Sequence, residues 1–312
     1  MGYTPNPFTN RGVITKEEDF IGREEQIGEI VGRLRTLQSS SVVGERRIGK
    51  SSLLYHLTQT GARRIGDGSY RFFYLDLQNA RFHTAAGFFR ATLNALGVAL
   101  DIIQSSIKDE QSLNRNLIAF TDQIESLQQR GERIVLCLDE FEIIFKHRDQ
   151  FPEDFFDHLR SLLNIRTLAI VTASRKTLET HSLEGNLCSP FYNLFTVVEL
   201  KEFTEDEAQL FLANYLQRAR FSDAEMKFIF SYLDPHPMKL QILCDWTVKN
   251  RQRQLAEWAL VEEIGKEYSN FWMGTFDTKN LRRTKKWFSL DNIKKLLEVF
   301  KTARDGFSGK SE

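Results

Sequence analysis

Gly44-Glu45-Arg46-Arg47-Ile48-Gly49-Lys50-Ser51 is the stretch that decides the fold of this chain. It fits the pattern G-x-x-x-x-G-K-[ST] of a phosphate-binding P-loop. The two glycines let the backbone come close enough for its N–H groups to face phosphate oxygens. The pattern predicts that Lys50 reaches the β- and γ-phosphates and that the Ser51 hydroxyl ligates Mg²⁺.

The residues on either side of this loop support the same interpretation. Residues 40–43 are small and β-branched, which favours a short buried strand that leads into the loop. The helix predicted after the loop places Leu53, Leu54 and Leu57 at helical spacing. A helix that begins at the loop presents free N–H groups and the positive end of its dipole, and both favour a bound anion. Strand, loop and helix are therefore predicted in the order that a P-loop requires.

A second motif is the apolar run of residues 134–138, which is followed by Asp139 and Glu140. Continuous apolar character predicts a strand buried on both faces, as in a parallel sheet. At the carboxyl end of this strand, Asp139 is predicted to hold Mg²⁺, directly or through water, as a Walker B residue. Glu140 is placed to act as the general base that polarises the attacking water. The Asp-Glu pair and the lack of an Asn-Lys-x-Asp motif favour ATP over GTP.

A third apolar stretch, residues 167–174, ends at Arg175. We expect it to form a strand that lies between the other two, with its tip facing the γ-phosphate. Thr172 or Ser174 can then hold the attacking water, and Arg175 can sense or neutralise phosphate charge. The alternative is that Arg175 only opens the next helix.

Two more strands and several helices complete the pattern. The strands are predicted at residues 72–77 and 195–200, and the helices near residues 85–96, 113–129 and 154–163. Strands that alternate with helices predict an α/β fold in which a parallel five-stranded sheet is flanked by helices. We therefore predict a P-loop NTPase of the ASCE type, with its ligands at the strand-to-helix loops on one edge of the sheet.

The chain changes to helices alone after the last strand. Capping boxes at Thr204 and Ser222 indicate two helix starts, and Pro237 opens a further helix. The predicted domains are an ATPase core with an N-terminal adenine-pocket segment over residues 1–202, a helical lid over residues 203–275, and a basic amphipathic tail over residues 276–312. The basic residues of the tail that precede Trp287 are Lys279, Arg282, Arg283, Lys285 and Lys286.

The composition restricts the class of protein. The chain has 312 residues, 41% hydrophobic content and a formal net charge of zero. Balanced charge argues against a chain devoted throughout to binding nucleic acid. Apolar runs are only strand-length and the N-terminus lacks an apolar signal core, so we expect no membrane span and a cytoplasmic location. The three widely spaced cysteines fit reduced, buried thiols rather than a disulfide framework or a zinc site.

The order of these pieces resembles the STAND class of signal-transducing ATPases, which are related to the AAA+ and archaeal initiator types. The resemblance covers residues 6 to about 250. Its more specific parts are the segment Phe20-Ile21-Gly22-Arg23-Glu24, the sequence Arg-Arg-Ile-Gly-Lys inside the P-loop, and the dipeptide His236-Pro237 in the predicted lid. It also includes Leu138-Asp139-Glu140-Phe141-Glu142 and a strand that ends in a sensor-like Arg175.

The resemblance implies further roles at the nucleotide. It implies that Phe20, Ile21, Gly22 and Arg23 line the adenine pocket, and that Pro237 closes this pocket from the other side. The complete predicted nucleotide-binding set is Gly44, Glu45, Arg46, Arg47, Ile48, Gly49, Lys50, Ser51, Ser52, Phe20, Ile21, Gly22, Arg23 and Pro237. The predicted catalytic residues are Glu140, Lys50 and Arg175, and the predicted Mg²⁺ ligands are Ser51 and Asp139.

One departure from the resemblance concerns the lid. Related lids often read Gly-Gly-His-Pro, whereas here Asp234 and Pro235 precede His236 and Pro237. The extra proline stiffens the entry to the helix. Contact of His236 with phosphate therefore stays open, with an ordinary N-terminal turn histidine as the alternative, and Lys239 is another candidate phosphate sensor.

Two functions are compatible with the sequence. The first is a STAND-type molecular switch, in which ATP binding and slow hydrolysis control self-association or signalling to a separate protein partner. The second is a nucleic-acid-associated ATPase of the initiator or transposition-regulator type, with the basic tail as its contact. A homo-oligomer or a separately encoded partner is expected in the first case and nucleic acid in the second.

Overall fold

The computed structural model describes residues 6–106 and 113–272. Within these residues the chain divides into two compact units. The core unit comprises residues 13–201, and the helical unit comprises residues 6–12 and 202–272. The predicted basic tail, residues 276–312, lies outside the described residues.

The core unit is built on a parallel five-stranded sheet. Its strand order is β2-β3-β4-β1-β5, so β4 lies between β1 and β3 as predicted. This order and the flanking helices confirm the predicted P-loop NTPase fold. The strands are β1 (Ser39–Gly44), β2 (Tyr70–Asp76), β3 (Arg133–Asp139), β4 (Leu168–Ser174) and β5 (Phe195–Leu200).

Helices cover the two faces of this sheet. They are α1 (Glu24–Leu34), α2 (Lys50–Ile65), α3 (Ala85–Ala95), α4 (Leu100–Ser106), α5 (Leu113–Gln129), α6 (Glu142–Lys146), α7 (Glu153–Asn164) and α8 (Leu178–Glu184). Successive residues of a strand point to opposite faces. Accordingly, Leu136 of β3 packs in a core with residues of α3, α5 and α7, whereas its neighbours Val135 and Cys137 pack in a core with residues of α1 and α2.

The register of the sheet brings the functional strand ends to one edge. Val43 near the end of β1 pairs with Ser174 of β4, and Leu138 near the end of β3 pairs with Thr172 of β4. Because the strands are parallel, the residues that follow β1, β3 and β4 all emerge at this edge. The P-loop, the Asp-Glu pair and Arg175 are therefore gathered at the carboxyl ends of neighbouring strands, where ligands of α/β sheets bind.

The helical unit contains α9 (Glu205–Ala219), α10 (Asp223–Tyr232), α11 (Pro237–Arg253) and α12 (Glu257–Trp272). Both predicted capping boxes are formed. The Thr204 hydroxyl accepts from the N–H of Glu207 and the Glu207 carboxylate accepts from the N–H of Thr204, and Ser222 and Glu225 repeat this exchange. These caps satisfy N–H groups that a helix start otherwise leaves without a partner.

Residues 6–12 belong to the helical unit because of two anchors. Phe8 is fully buried and packs against Phe211, Tyr215 and Phe221, with its ring stacked on Phe221 at 5.7 Å. The second anchor is Asp245 of α11, which is also fully buried. Its carboxylate accepts hydrogen bonds from Asn6 at 2.7 Å and Lys249 at 2.7 Å and from the Arg11 guanidinium. A buried carboxylate surrounded by donors in this way has its charge compensated.

None of the helices within the described residues is both long and apolar enough to cross a membrane.

Candidate nucleotide site

The P-loop backbone has the shape that its glycines permit. A Cβ atom added to Gly44 would lie 2.6 Å from the carbonyl oxygen of Leu200, which leaves no room for a side chain. Gly49 has a φ of 106° at the N-cap of α2, a conformation that glycine adopts without strain. Ile48 is buried and anchors the loop to the core between these two glycines. The loop is therefore shaped by the fold itself.

Lys50 is the first residue of α2, and its side chain folds back over the loop. The ammonium donates hydrogen bonds of 2.9 Å to the carbonyl oxygens of Gly44 and Glu45. Burial lowers the pKa of Lys50, while the negative charges of Glu140, Glu142 and Asp139 act in the opposite direction. The ammonium therefore lies among carboxylates and backbone carbonyls, a position from which it can turn to a phosphate.

Asp139 at the end of β3 is held by three donors. The Tyr74 hydroxyl donates to Oδ2 at 2.7 Å, the N–H of Glu140 donates to Oδ1 at 3.0 Å, and the Ser51 hydroxyl also donates to the carboxylate. Burial raises the pKa of Asp139, and the hydrogen bonds from Ser51 and Tyr74 oppose that shift. Ser51 and Asp139, the two predicted Mg²⁺ ligands, are thus brought into direct contact.

Glu140 occupies a strained turn between β3 and α6. Its φ is 52°, in the left-handed region that residues other than glycine seldom adopt. The next residue, Phe141, donates its N–H to the carbonyl oxygen of Ala173 in β4 at 2.9 Å. Strain of this kind persists only where the surrounding structure imposes it, and it clusters at functional sites. The turn is therefore a physical indication that the placement of Glu140 matters.

The tip of β4 contributes polar groups with different surroundings. The Thr172 hydroxyl is buried and donates to the Ser41 hydroxyl at 3.0 Å. The Ser174 hydroxyl donates to the carbonyl oxygen of Lys176 at 2.6 Å. Arg175 is exposed, and its positive charge contributes to the lowered pKa of Lys50. The structure therefore places Arg175 in the same charged neighbourhood as Lys50, Asp139 and Glu140.

The segment implied to line the adenine pocket lies against the P-loop and α2. Arg23 is buried, and its guanidinium donates to the carbonyl oxygen of Ile48 at 3.2 Å. Gly22 and Arg23 have positive φ angles of 75° and 67°, and α1 starts directly after them. Phe20 stacks on His56 of α2 with ring centroids 4.2 Å apart. The segment thus contacts the phosphate-binding loop directly, through the side chain of Arg23.

The remaining loop residues divide by exposure. Glu45 and Arg46 are exposed, and Arg47, which has a φ of 66°, is half-buried. Ser52 is buried, and its hydroxyl accepts a hydrogen bond of 3.0 Å from the N–H of Ile14. Its side chain is thereby engaged in holding the preceding segment against α2.

The residues at this edge fit a Mg²⁺ site. Mg²⁺ prefers oxygen ligands and usually keeps several waters, with one or two carboxylates and the phosphates completing its shell. The Ser51 hydroxyl and the Asp139 carboxylate are oxygen donors in contact with each other. The Oε2 atom of Glu142 is buried, and within the described part of the chain it has no hydrogen-bond partner. The charge of Glu142 acts on the Lys50 ammonium, so this orphaned oxygen belongs to the charged surroundings of the P-loop and is consistent with a site that is completed by a cation and its waters.

Comparison with protein families decides the classification. The family model of the novel STAND NTPase 1 family, nSTAND1, matches residues 13–222. This match spans more than half of the chain and contains the P-loop, Asp139, Glu140 and Arg175. The chain belongs to this family. The resemblance to STAND ATPases that the motifs indicated is therefore confirmed.

Solved structures similar to this STAND NTPase show the same fold. The Walker-type ATPase PABY2304 of Pyrococcus abyssi is 16% identical, with a TM-score of 0.59, over 94% of this chain and 93% of that one. The ORC2 protein of Aeropyrum pernix, in ADPNP and ADP complexes, is 13% identical, with a TM-score of 0.57, over 88% of this chain and 73% of that one. The ORC1 protein of the same organism, in complex with DNA, is 13% identical, with a TM-score of 0.54, over 83% of this chain and 69% of that one. No curated protein matches the STAND NTPase.

The predicted lid residues lie in the helical unit. Pro237 is the first residue of α11, where proline suits the start of a helix. His236 is buried and caps the same helix, because its Nδ1 accepts from the N–H of Met238 at 3.2 Å. Lys239 donates to Asp234 at 2.9 Å. In this STAND NTPase, Pro237 and His236 therefore stabilise the start of α11, and Lys239 pairs with Asp234. The roles of these residues at a nucleotide stay predictions.

Two side chains at the site were missed by sequence reasoning. Tyr74 lies in the middle of an aromatic-rich strand, and nothing in the strand pattern distinguishes it from a core residue. Glu142 was noted only as part of the resemblance, although its position three residues after Asp139 is a usable signal. The structure shows that Glu142 is buried, with 6% of its surface exposed.

Proposed function

We propose that this STAND NTPase binds ATP with Mg²⁺ and hydrolyses it slowly, and that its nucleotide state controls self-association or signalling to a protein partner. The observation that carries the proposal is the convergence of Lys50, Ser51, Asp139 and Glu140 at one edge of the sheet, next to a loop that the fold has already shaped. Family membership supports the same class of function.

The proposed roles follow from the positions of these residues. The P-loop N–H groups and Lys50 bind the phosphates, and Arg175 adds positive charge near the γ-phosphate. Ser51 and Asp139 hold Mg²⁺, which neutralises phosphate charge when it is bound. Glu140 accepts a proton from the attacking water as general base. Hydrolysis ends the ATP state, so Glu140 sets how long that state lasts.

The test of the nucleotide assignment compares binding and turnover in matched variants. Lys50→Ala should lose most ATP affinity, measured by calorimetry. Glu140→Gln should bind ATP like the wild-type protein but hydrolyse it at a rate lower by about 10²-fold, as expected for a lost general base. Glu179→Gln changes an exposed carboxylate on α8 and serves as the control. Wild-type ATP affinity in Lys50→Ala would refute the nucleotide assignment, and unchanged turnover in Glu140→Gln would remove that residue from the mechanism.

The test of the switch is the assembly state. Gel filtration coupled to light scattering should give different molar masses with ADP and with a non-hydrolysable ATP analogue. Glu140→Gln incubated with ATP should behave like the wild-type protein with the analogue, because both retain the triphosphate. The same molar mass in all nucleotide states, with and without a candidate partner protein, would contradict self-association as the output.

The second candidate function is a nucleic-acid-associated ATPase. The observation that favours it is the basic sequence Lys279, Arg282, Arg283, Lys285 and Lys286 beside Trp287 and Phe288. Basic residues beside aromatic residues suit phosphate contact and base stacking. ATP hydrolysis should then rise several-fold with single- or double-stranded DNA or RNA, and the rise should vanish when these five charges are replaced by Ser. Strong stimulation that depends on these charges would favour this function over the switch.

A further inference from the structure

Glu142 is the side chain at the nucleotide-site edge whose surroundings the proposed function does not yet explain. It is the first residue of α6 and is 6% exposed. Its Oε2 atom is buried, and no hydrogen-bond partner for it occurs in the described residues. A carboxylate taken out of water without a partner is costly to the folded protein. A group that carries this cost calls for a ligand that removes it.

The location of Glu142 indicates which ligand that is. Glu142 follows Asp139, the last residue of β3, by three positions, and the left-handed turn at Glu140 lies between them. The negative charge of Glu142 acts on the Lys50 ammonium together with the charges of Asp139 and Glu140. Lys50 itself is engaged with the carbonyl oxygens of Gly44 and Glu45. Glu142 therefore lies within electrostatic reach of Lys50 in the proposed phosphate site, where the natural partner of its orphaned oxygen carries positive charge or donates hydrogen bonds.

We propose that Glu142 is a third carboxylate of the nucleotide site and accepts hydrogen bonds from the water shell of nucleotide-bound Mg²⁺. This inference rests on the proposed function. Ser51, one carboxylate and phosphate oxygens leave several of the six positions around Mg²⁺ to water, and these waters need acceptors. Among the described residues no group of three or more His, Cys, Asp or Glu side chains forms a metal cage by itself. This arrangement suits a role for Glu142 through water, as a positioning residue.

The proposal makes an unusual prediction for stability. Glu142→Gln removes a buried carboxylate whose Oε2 atom has no hydrogen-bond partner within the described residues, but it keeps the shape of the side chain. In the absence of nucleotide and Mg²⁺, the variant should unfold at a temperature equal to or higher than that of the wild-type protein. A structural carboxylate would give the opposite result, because its loss would leave donors without an acceptor. A variant that unfolds at a lower temperature or fails to fold therefore contradicts the proposal.

The second measurement is the Mg²⁺ dependence of nucleotide binding. ADP affinity is measured by calorimetry at a series of Mg²⁺ concentrations and in EDTA, and Mn²⁺ bound in the presence of ADP is counted by electron paramagnetic resonance. For Glu142→Gln, the Mg²⁺ concentration that gives half of the full effect should rise about tenfold, at the lower end of the range for outer-shell partners of a metal. The affinity in EDTA should stay within about twofold of the wild-type value. Glu179→Gln is the matched control and should follow the wild-type curve.

The outcomes separate this inference from the proposed function. If the wild-type protein binds ADP more tightly with Mg²⁺ and Glu142→Gln shows the same Mg²⁺ dependence, only the role of Glu142 is overturned. If the wild-type protein binds no nucleotide under any condition, the proposed function fails and the inference fails with it. A selective loss of Mg²⁺ dependence in Glu142→Gln, with stability retained, supports both.

Discussion

Replacing Tyr74 with Phe removes a single hydroxyl group from the candidate site. That hydroxyl donates to Oδ2 of Asp139 at 2.7 Å, and Asp139 is only 4% exposed. The aromatic ring remains, so its packing against Tyr55, with ring centroids 5.6 Å apart, is preserved. The substitution therefore tests one hydrogen bond to one buried carboxylate.

The expected magnitude depends on the charge of Asp139. A hydrogen bond to a charged group contributes about 1.5–3 kcal/mol, and one between neutral groups about 0.5–1.5 kcal/mol. We therefore expect Tyr74→Phe to lower the free energy of unfolding by about 2 kcal/mol when Asp139 is ionised and by about 1 kcal/mol when it is protonated. The remaining donors, Ser51 and the N–H of Glu140, limit the loss.

The pKa of Asp139 determines how the stability difference between Tyr74→Phe and the wild-type protein changes with pH. Burial raises the pKa of Asp139 above its usual value of 3.8, so the folded state binds this proton more tightly than the unfolded state. The contribution of Asp139 to stability is therefore fully present below pH 3.8 and is lost as the pH rises through the raised pKa. Loss of the Tyr74 donor raises this pKa further. The difference between Tyr74→Phe and the wild-type protein must then grow with increasing pH.

The assay is urea denaturation followed by circular dichroism at a series of pH values from about 4 to 8. Tyr55→Phe is the control, because it removes a hydroxyl from the same aromatic pair without touching the bond to Asp139. Its effect should be small and independent of pH. An effect of Tyr74→Phe that is below about 0.5 kcal/mol at pH 7.5, or the same at every pH, would refute the argument that this hydroxyl stabilises an ionised Asp139.

Further predictions concern the loop, the N-terminal anchor and acid stability. Gly44→Ala should destabilise the core unit by about 1–3 kcal/mol, because the added methyl group meets the backbone of Leu200. The same variant should bind ATP more weakly in calorimetry. The control is Gly28→Ala in the middle of α1, which should stabilise the protein by up to about 1 kcal/mol because nothing lies within 4 Å of the new methyl group. Phe8→Ala should destabilise the helical unit by about 3–5 kcal/mol, detected as faster hydrogen exchange in α9 to α11, and exchange at the wild-type rate would contradict the anchor. Burial lowers the pKa of His56, so the stability it contributes is present above its usual value of 6.5 and is lost as the pH falls; His56→Phe should reduce the loss of stability between pH 7.5 and 5.5, and an unchanged loss would show that other groups cause it.

The features that the sequence predicted are those with a local signal. The P-loop pattern, the apolar strands and the two capping boxes each depend on residues that are close together in the chain. The position of β4 between β1 and β3 also followed, because the P-loop, the Asp-Glu pair and the later apolar strand occur in the order typical of ASCE-type ATPases. The predicted parallel five-stranded sheet and the predicted place of β4 agree with the structure, in which the strand order is β2-β3-β4-β1-β5.

The features that escaped prediction depend on contacts between distant residues. The hydroxyl of Tyr74 reaches Asp139 because β2 pairs with β3 in a particular register, which a single sequence does not reveal. The bond from Arg23 to the backbone of Ile48 needs the left-handed turn before α1. The burial of Phe8 among aromatic residues of α9 and their neighbour Phe221 needs a partner some two hundred residues away. Such contacts form only in the folded protein and correspond to no periodic pattern of residues in the sequence.

The anchoring of residues 6–12 in the helical unit has a consequence for biosynthesis. Asn6 and Asp245 are separated by 239 positions in the chain, so the first described residues leave the ribosome long before their partners exist. At a synthesis rate of about 5–20 residues per second, Phe8 waits on the order of ten seconds or more for α11. The core unit, whose residues 13–201 are complete earlier, can fold in that interval. The helical unit therefore completes its folding after the core unit. Until then the side chain of Phe8 remains exposed to chaperones and to other nascent chains.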